Sequence, residues 1–116
     1  MPVFTINTNV SQVPSDFKNK AANAVAATLG KPLSYVAVQI NSGQNISFGG
    51  TEKPVALCEL MSIGALSTSS NKKHANTLMT LLEKELGISP SRTYITFTDA
   101  DKANIGFNKT TFHDLI

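Results

Sequence analysis

The stretch Leu29-Gly30-Lys31-Pro32-Leu33-Ser34-Tyr35-Val36-Ala37-Val38 decides the fold, because its plan returns later in the chain. Ahead of it, from about Ser15 to Leu29, the residues Phe17, Ala21, Ala24, Val25, Thr28 and Leu29 fall at helical spacing and form one apolar stripe. Ser15 or a neighbour can cap the start of that helix, and Gly30 suits the position just past its end. Pro32 then prevents the helix from resuming. Residues 35–41 are rich in strand formers and run into a turn at Ser42-Gly43-Gln44-Asn45.

The second half repeats this order. Residues 55–66 carry Val55, Leu57, Leu60, Ile63 and Leu66, a strand signal interrupted by Gly64, and Thr68-Ser69-Ser70-Asn71 supplies cap candidates. Ala75, Leu78, Met79, Leu82 and Leu86 form a second helical stripe, closed by Gly87 and followed by Pro90. Residues 93–98 alternate as a strand, so that the strand at Tyr94 corresponds to the strand at Tyr35. The chain's start, residues 2–8, adds a short buried strand with Val3, Phe4 and Ile6, followed by turn chemistry from Asn9 to Pro14. The pattern predicts an α/β fold of two β-α-β units about 57 residues apart, with a four-stranded mixed sheet. Right-handed crossovers place both helices on one face of that sheet. The uncovered face must bury its apolar residues elsewhere, and self-association is the simplest way to do so.

Bulk properties narrow the function. A chain of 116 residues predicts one domain spanning 1–116, large enough for a two-layer core. A net charge of +2, with basic residues scattered apart from Lys72-Lys73, argues against nucleic acid as a partner. No apolar run reaches membrane-spanning length, and no secretory signal pattern is visible. The single Cys58 permits neither an intrachain disulfide nor a cysteine-based zinc site. The sequons at Asn9, Asn45 and Asn108 read as chance or as local turn chemistry.

Few residues offer chemistry. His74 and His113 have no acidic or thiol neighbour at ligand spacing, so neither a metal nor any other cofactor is expected. Cys58, within an apolar strand, reads as an inert buried thiol, and Ser62 lacks a nucleophile elbow. Phe48-Gly49-Gly50 reads as a hairpin or loop corner, and Asp99 and Asp101 lack the other ligands of a calcium loop. Pro2 remains. If Met1 is removed, Pro2 becomes a secondary amine, and burial or a cation such as Lys31 lowers the pKa of a chain amine. A neutral amine of that kind suits general-base work, whereas a merely structural proline at the first position of a strand is equally tolerated.

Met1-Pro2-Val3-Phe4 with Asn7-Thr8-Asn9, and Leu29-Gly30-Lys31-Pro32 with Tyr35-Val36-Ala37-Val38, together resemble one family. Phe48-Gly49-Gly50 with Pro54, Ser62-Ile63-Gly64, and Ile88-Ser89-Pro90 with Arg92, Tyr94 and Ile95 continue the match in the same register. So does Asn104-Ile105-Gly106-Phe107-Asn108 with Thr111-Phe112. The chain resembles the macrophage migration inhibitory factor family of the tautomerase superfamily. The resemblance implies a homotrimer around a central channel, with a keto–enol tautomerase site at each subunit interface and no cofactor. Pro2 would be the base, and Lys31 would hold the carboxylate of a small aromatic keto acid of phenylpyruvate or dopachrome type. The Ile63 N–H would add a polar contact, and Tyr94 and Thr96 would come from the neighbouring subunit. Tyr35, Ile105, Phe107 and Phe112 would supply the walls.

The same resemblance implies a cytoplasmic protein that is also secreted by a leaderless route, with a cell-surface receptor as partner. The alternative reading is a receptor-binding protein whose pocket is vestigial. The chain departs from the family's pattern at three points. Val55 stands where vertebrate members have the first cysteine of a Cys-x-x-Cys, so thiol redox activity is not expected. Thr96 replaces a common asparagine, and Phe107 replaces a common tryptophan, which bears on substrate preference.

Overall fold

The computed structural model describes all residues, Met1–Ile116. Its elements follow the order β1 (Pro2–Thr8), α1 (Phe17–Leu29), β2 (Ala37–Asn41), β3 (Ala56–Ser62), α2 (Thr68–Leu86) and β4 (Thr93–Asp99). A two-residue hairpin, β5 (Gly106–Phe107) and β6 (Thr110–Thr111), completes it. The four long strands form one mixed sheet in the order β2-β1-β3-β4. β1 runs parallel to β2 and β3 parallel to β4, while β1 and β3 pair antiparallel at the centre. This is the doubled β-α-β plan expected from the sequence.

Alternation along the strands separates the two faces. Pro2, Phe4, Ile6 and Thr8 on β1, and Ala56, Cys58, Leu60 and Ser62 on β3, are buried. Of these, Phe4, Ile6, Ala56, Cys58 and Leu60 form one core cluster with Phe17, Ala21, Val25 and Leu29 of α1, Leu78, Leu82 and Leu86 of α2, and Ile88. Fully burying a side chain of this kind contributes about 1.5–3 kcal/mol relative to exposure. No helix is long and apolar enough to cross a membrane.

The opposite face is more polar than expected. Val3, Leu57, Met61 and Tyr94 lie there among Thr5, Asn7, Gln39, Asn41, Glu59, Thr96 and Thr98, as the strand registers dictate. Asn41 donates to the Asn7 carboxamide at 2.8 Å, satisfying part of this surface.

Several boundaries differ from the sequence expectation, each for a local reason. The helix N-caps are Asp16 and Ser67, and only Ser67 caps with its side chain, accepting from the Ser70 N–H. Asp16 instead pairs with Lys20 at 3.2 Å. Tyr35 is not in a strand: Leu33–Tyr35 form a single 3₁₀ turn, and β2 begins at Ala37. An equivalent turn, Pro90–Arg92, precedes β4. The positional counterpart of Tyr35 in the second unit is therefore Arg92, not Tyr94. β3 stops at Ser62, because Gly64 and Ala65 both adopt positive φ, 75° and 63°. Both helices do end as expected, on left-handed Gly30 and Gly87.

Candidate active site

Pro2, Lys31 and Ile63 meet at one end of the sheet. Pro2 is buried at the start of β1 and lies opposite Ser62, the last residue of β3, so Ile63 emerges beside it. Gly30 turns the chain out of α1 and aims Lys31 toward the same end. The Lys31 ammonium donates to the Ile63 carbonyl at 2.9 Å. Lys31 thus bridges the end of α1 to the turn after β3 rather than complementing its own helix terminus. The Ile63 N–H has no partner among the chain's hydrogen bonds and stays available.

The electrostatics follow from this arrangement. The Met1 α-amine, one residue before Pro2, is held below its ordinary pKa, first by partial burial and then by the Lys31 charge. Both causes disfavour the charged amine. Ser62, fully buried beside Pro2, has a hydroxyl without any partner. Asp99 closes the turn from the other side, its carboxylate accepting from the Gly64 N–H at 3.0 Å.

Three of the expected wall residues form one aromatic group. Tyr35 lies edge-on to Phe107 at 5.7 Å and to Phe112 at 5.8 Å, and Phe107 stacks on Phe112 at 5.2 Å. Phe112 is buried, while Tyr35 and Phe107 are exposed. The hairpin that presents Phe107 turns through Asn108 and Lys109, both at positive φ. Its closing bond runs from the Phe112 N–H to the Ile105 carbonyl at 3.0 Å. The third sequon therefore is turn chemistry, whereas the Asn9 side chain ties distant segments together, donating to the carbonyls of Glu52 and Lys53 and accepting from the Val55 N–H.

Tyr94 and Thr96 are not brought to Pro2. Ser62, opposite Pro2, is paired with Asp99, so Thr96 and Tyr94 lie three and five residues back along β4. At about 3.3 Å per residue this is roughly 10 and 16 Å along the strand. Their side chains also occupy the open face, whereas Pro2 faces the helices. Tyr94 is 64 % exposed, and its ring lies 5.1 Å from that of Phe48, tilted by 52°.

The residues that hold these parts carry no local signal of that role. Arg92 donates to the carbonyls of Phe48, Thr51, Lys53 and Pro54 and sits 5.2 Å over the Phe48 ring, fixing the corner against which Tyr94 rests. His74 lies in the second turn of α2 and is buried. Cys58 is buried as expected, which pushes its thiol up to about 12. Phe48 and Thr51 form the bridged loop corner read from the two glycines. The clefts of the isolated chain lie elsewhere: one of about 390 Å³ between Val13, Lys18 and Ile40, and one of about 310 Å³ on the open face around Glu59.

The sequence model described as macrophage migration inhibitory factor (MIF) matches residues 1–113. A homologue of macrophage migration inhibitory factor from Brugia malayi is 47% identical over 114 residues, covering 97% of this chain and 99% of that protein. The macrophage migration inhibitory factor of Rattus norvegicus is 41% identical over the same shares of both chains. Among solved structures, the factor from Trichinella spiralis superposes with a TM-score of 0.91 at 44% identity, covering 94% of this chain and 98% of that one. A homologue from Prochlorococcus marinus gives 0.90 at 30% identity, covering 95% and 98%. On sequence and fold together, this chain belongs to the macrophage migration inhibitory factor family.

Proposed function

We propose that the protein is a keto–enol tautomerase of small aromatic keto acids, of phenylpyruvate or dopachrome type, with Pro2 as its base. The observation that carries this reading is the convergence of Pro2, Lys31 and Ile63 at one sheet end, where burial and the Lys31 charge already lower the pKa of the neighbouring Met1 amine. Loss of Met1 converts the Pro2 nitrogen from a tertiary amide, which has no basic lone pair, into a secondary amine. The ring fixes the direction of that lone pair.

The reaction follows from these groups. The neutral Pro2 amine takes the proton from the carbon beside the carbonyl, and the carbon–hydrogen electron pair moves to form the enolate. The ammonium so formed returns its proton to oxygen, and the reverse order runs enol to ketone. No electrons are gained or lost overall. Lys31 and the Ile63 N–H bind the substrate carboxylate and stabilise charge developing on oxygen. The Tyr35, Phe107 and Phe112 rings, with Ile105, take the aryl group.

The active form is a homotrimer in which Tyr94 and Thr96 of a neighbouring copy complete each site. The position of these two residues on the face opposite Pro2 supports this, because one copy cannot supply both sets. A second role, secreted cytokine-like signalling through a cell-surface receptor, is supported by the names of the relatives alone.

The test is the enol–keto conversion of 4-hydroxyphenylpyruvate, after mass measurement has established that Met1 is absent. Pro2→Gly should lower kcat/KM by about 100-fold or more. Equal rates in the two proteins would eliminate Pro2 as the base.

A further inference from the structure

The turn Ile63-Gly64-Ala65 is held at every residue. Lys31 donates to the Ile63 carbonyl at 2.9 Å, and the Gly64 N–H donates to Asp99 at 3.0 Å. The Ala65 carbonyl receives His74 Nε2 at 2.8 Å and the Ser70 hydroxyl at 3.3 Å. Ala65 needs such support, because it is a non-glycine residue at φ 63°. A left-handed alanine costs about 1–2 kcal/mol and persists only where its surroundings impose it.

His74 is the deepest of these supports. It is 2 % exposed, with its ring against Phe97 at 6.3 Å between centroids. A carbonyl oxygen can only accept, so Nε2 carries the proton, and in the neutral ring Nδ1 accepts from the Thr28 hydroxyl at 2.8 Å. The result is a buried chain of hydrogen bonds from Thr28 on α1, through His74 on α2, to the turn. Two residues before Ala65 lies the Ile63 N–H, which is unspent, and whose direction depends on the dihedral angles of this turn.

We infer that His74 is a positioning residue: through Ala65 it sets the direction of the Ile63 N–H at the carboxylate end of the site. The inference rests on the tautomerase reading for its kinetic consequence, but not for its structural one. An interior hydrogen bond that served stability alone would lower the melting temperature and leave the turn's remaining geometry and the affinity for substrate unchanged.

Two substitutions separate the ring's two nitrogens. His74→Gln can keep the donor to Ala65 and give up the Thr28 contact, while His74→Asn can keep the Thr28 contact and give up the donor. Both are made in the full chain lacking Met1. Their kcat and KM for 4-hydroxyphenylpyruvate, and the ¹⁵N–¹H shifts of Ile63 and Gly64, are compared with the parent. His74→Asn should raise KM about tenfold with kcat within about twofold, since small misplacement of a binding group costs rates of this order. It should also shift both amides. His74→Gln should restore KM to within about twofold of the parent and leave the two amides near their parental positions.

Equal KM values and unmoved amides in both variants, at matched folded fraction, would overturn the inference. If Pro2→Gly retains parental rates, the tautomerase reading fails, yet the amide shifts still decide the role of His74. Thr28→Val alters no atom of His74 and keeps the test decisive where His74→Asn does not fold. It should raise KM in the same direction, and an unchanged KM with unmoved amides would count against the relay.

Discussion

Separation of Pro2 from Tyr94 and Thr96 onto opposite faces of the same sheet makes a quantitative prediction about mixed oligomers. Take Pro2→Gly, which lacks the base, and Tyr94→Ala, which lacks the contribution from the open face. Each alone should be impaired in converting 4-hydroxyphenylpyruvate. Unfold the two together in equal amounts and refold them, so that subunits exchange at random. In a cyclic trimer each site takes Pro2 from one copy and Tyr94 from the next. Both kinds of mixed trimer then contain one site with both residues intact. Mixed trimers make up roughly three-quarters of the population and each restores one site in three, so roughly a quarter of all sites recover. The refolded mixture should therefore show about 25% of parental kcat per subunit, with KM unchanged. A site contained within one chain would recover nothing on mixing, and activity equal to the mean of the two variants would refute the shared site.

Other consequences test single parts. Lys31→Met removes both a charge-assisted hydrogen bond and a cation near the chain amine. KM should rise by a factor of about 10–150, corresponding to about 1.5–3 kcal/mol for a hydrogen bond to a charged group. In the same variant the pH midpoint of kcat/KM, read from initial rates between pH 5 and 9, should move upward. The reason is that burial and the Lys31 charge, which lower the Met1 amine, act in the same direction on the Pro2 amine that replaces it. The neutral base is present above that midpoint and lost as pH falls through it, and removing Lys31 takes away one of the two causes. Cys58, with its thiol pushed up to about 12 and 3 % exposed, should resist iodoacetamide at pH 8 in the native state and react on unfolding. Thr8→Val should lower stability to urea by about 1–3 kcal/mol, because the Val55 carbonyl and the Val10 N–H each lose a buried or half-buried partner.

The architecture was legible because it is written in period and punctuation. Two regular apolar stripes, each closed by glycine and followed by proline, sufficed to place α1 and α2 and to pair them with strands. What the stripes could not convey were the 3₁₀ turns at Leu33–Tyr35 and Pro90–Arg92, which are too short for a period. Tyr35 therefore looked like a strand residue, although it belongs to a turn that carries its ring toward Phe107 and Phe112. The β5–β6 hairpin was invisible for the same reason: two-residue strands have no alternation, and Asn108-Lys109 lacks the glycine that usually marks such a turn.

The candidate site divides along similar lines. Pro2 and Lys31 could be singled out because amine chemistry belongs to the residue itself. The roles of Arg92, Asp99 and His74 are relations between segments far apart in the chain, such as the 2.8 Å contact joining Thr28 to His74 across 46 positions. No local signal encodes such a partner, and His74 read alone offered only absent metal ligands. The strand register supplies what spacing could not. Once Pro2 is fixed opposite Ser62 and Ser62 opposite Asp99, Thr96 must face away from the base and lie three residues back from the Asp99 level. Bringing Thr96 to Pro2 within one chain would require β4 to slip by an odd number of residues. That slip would move Ile95 and Phe97 out of the core they now pack against and onto the open face. The packing of Ile95 and Phe97 thus keeps Thr96 away from Pro2 within one copy, so the proposed use of Thr96 calls for a second copy.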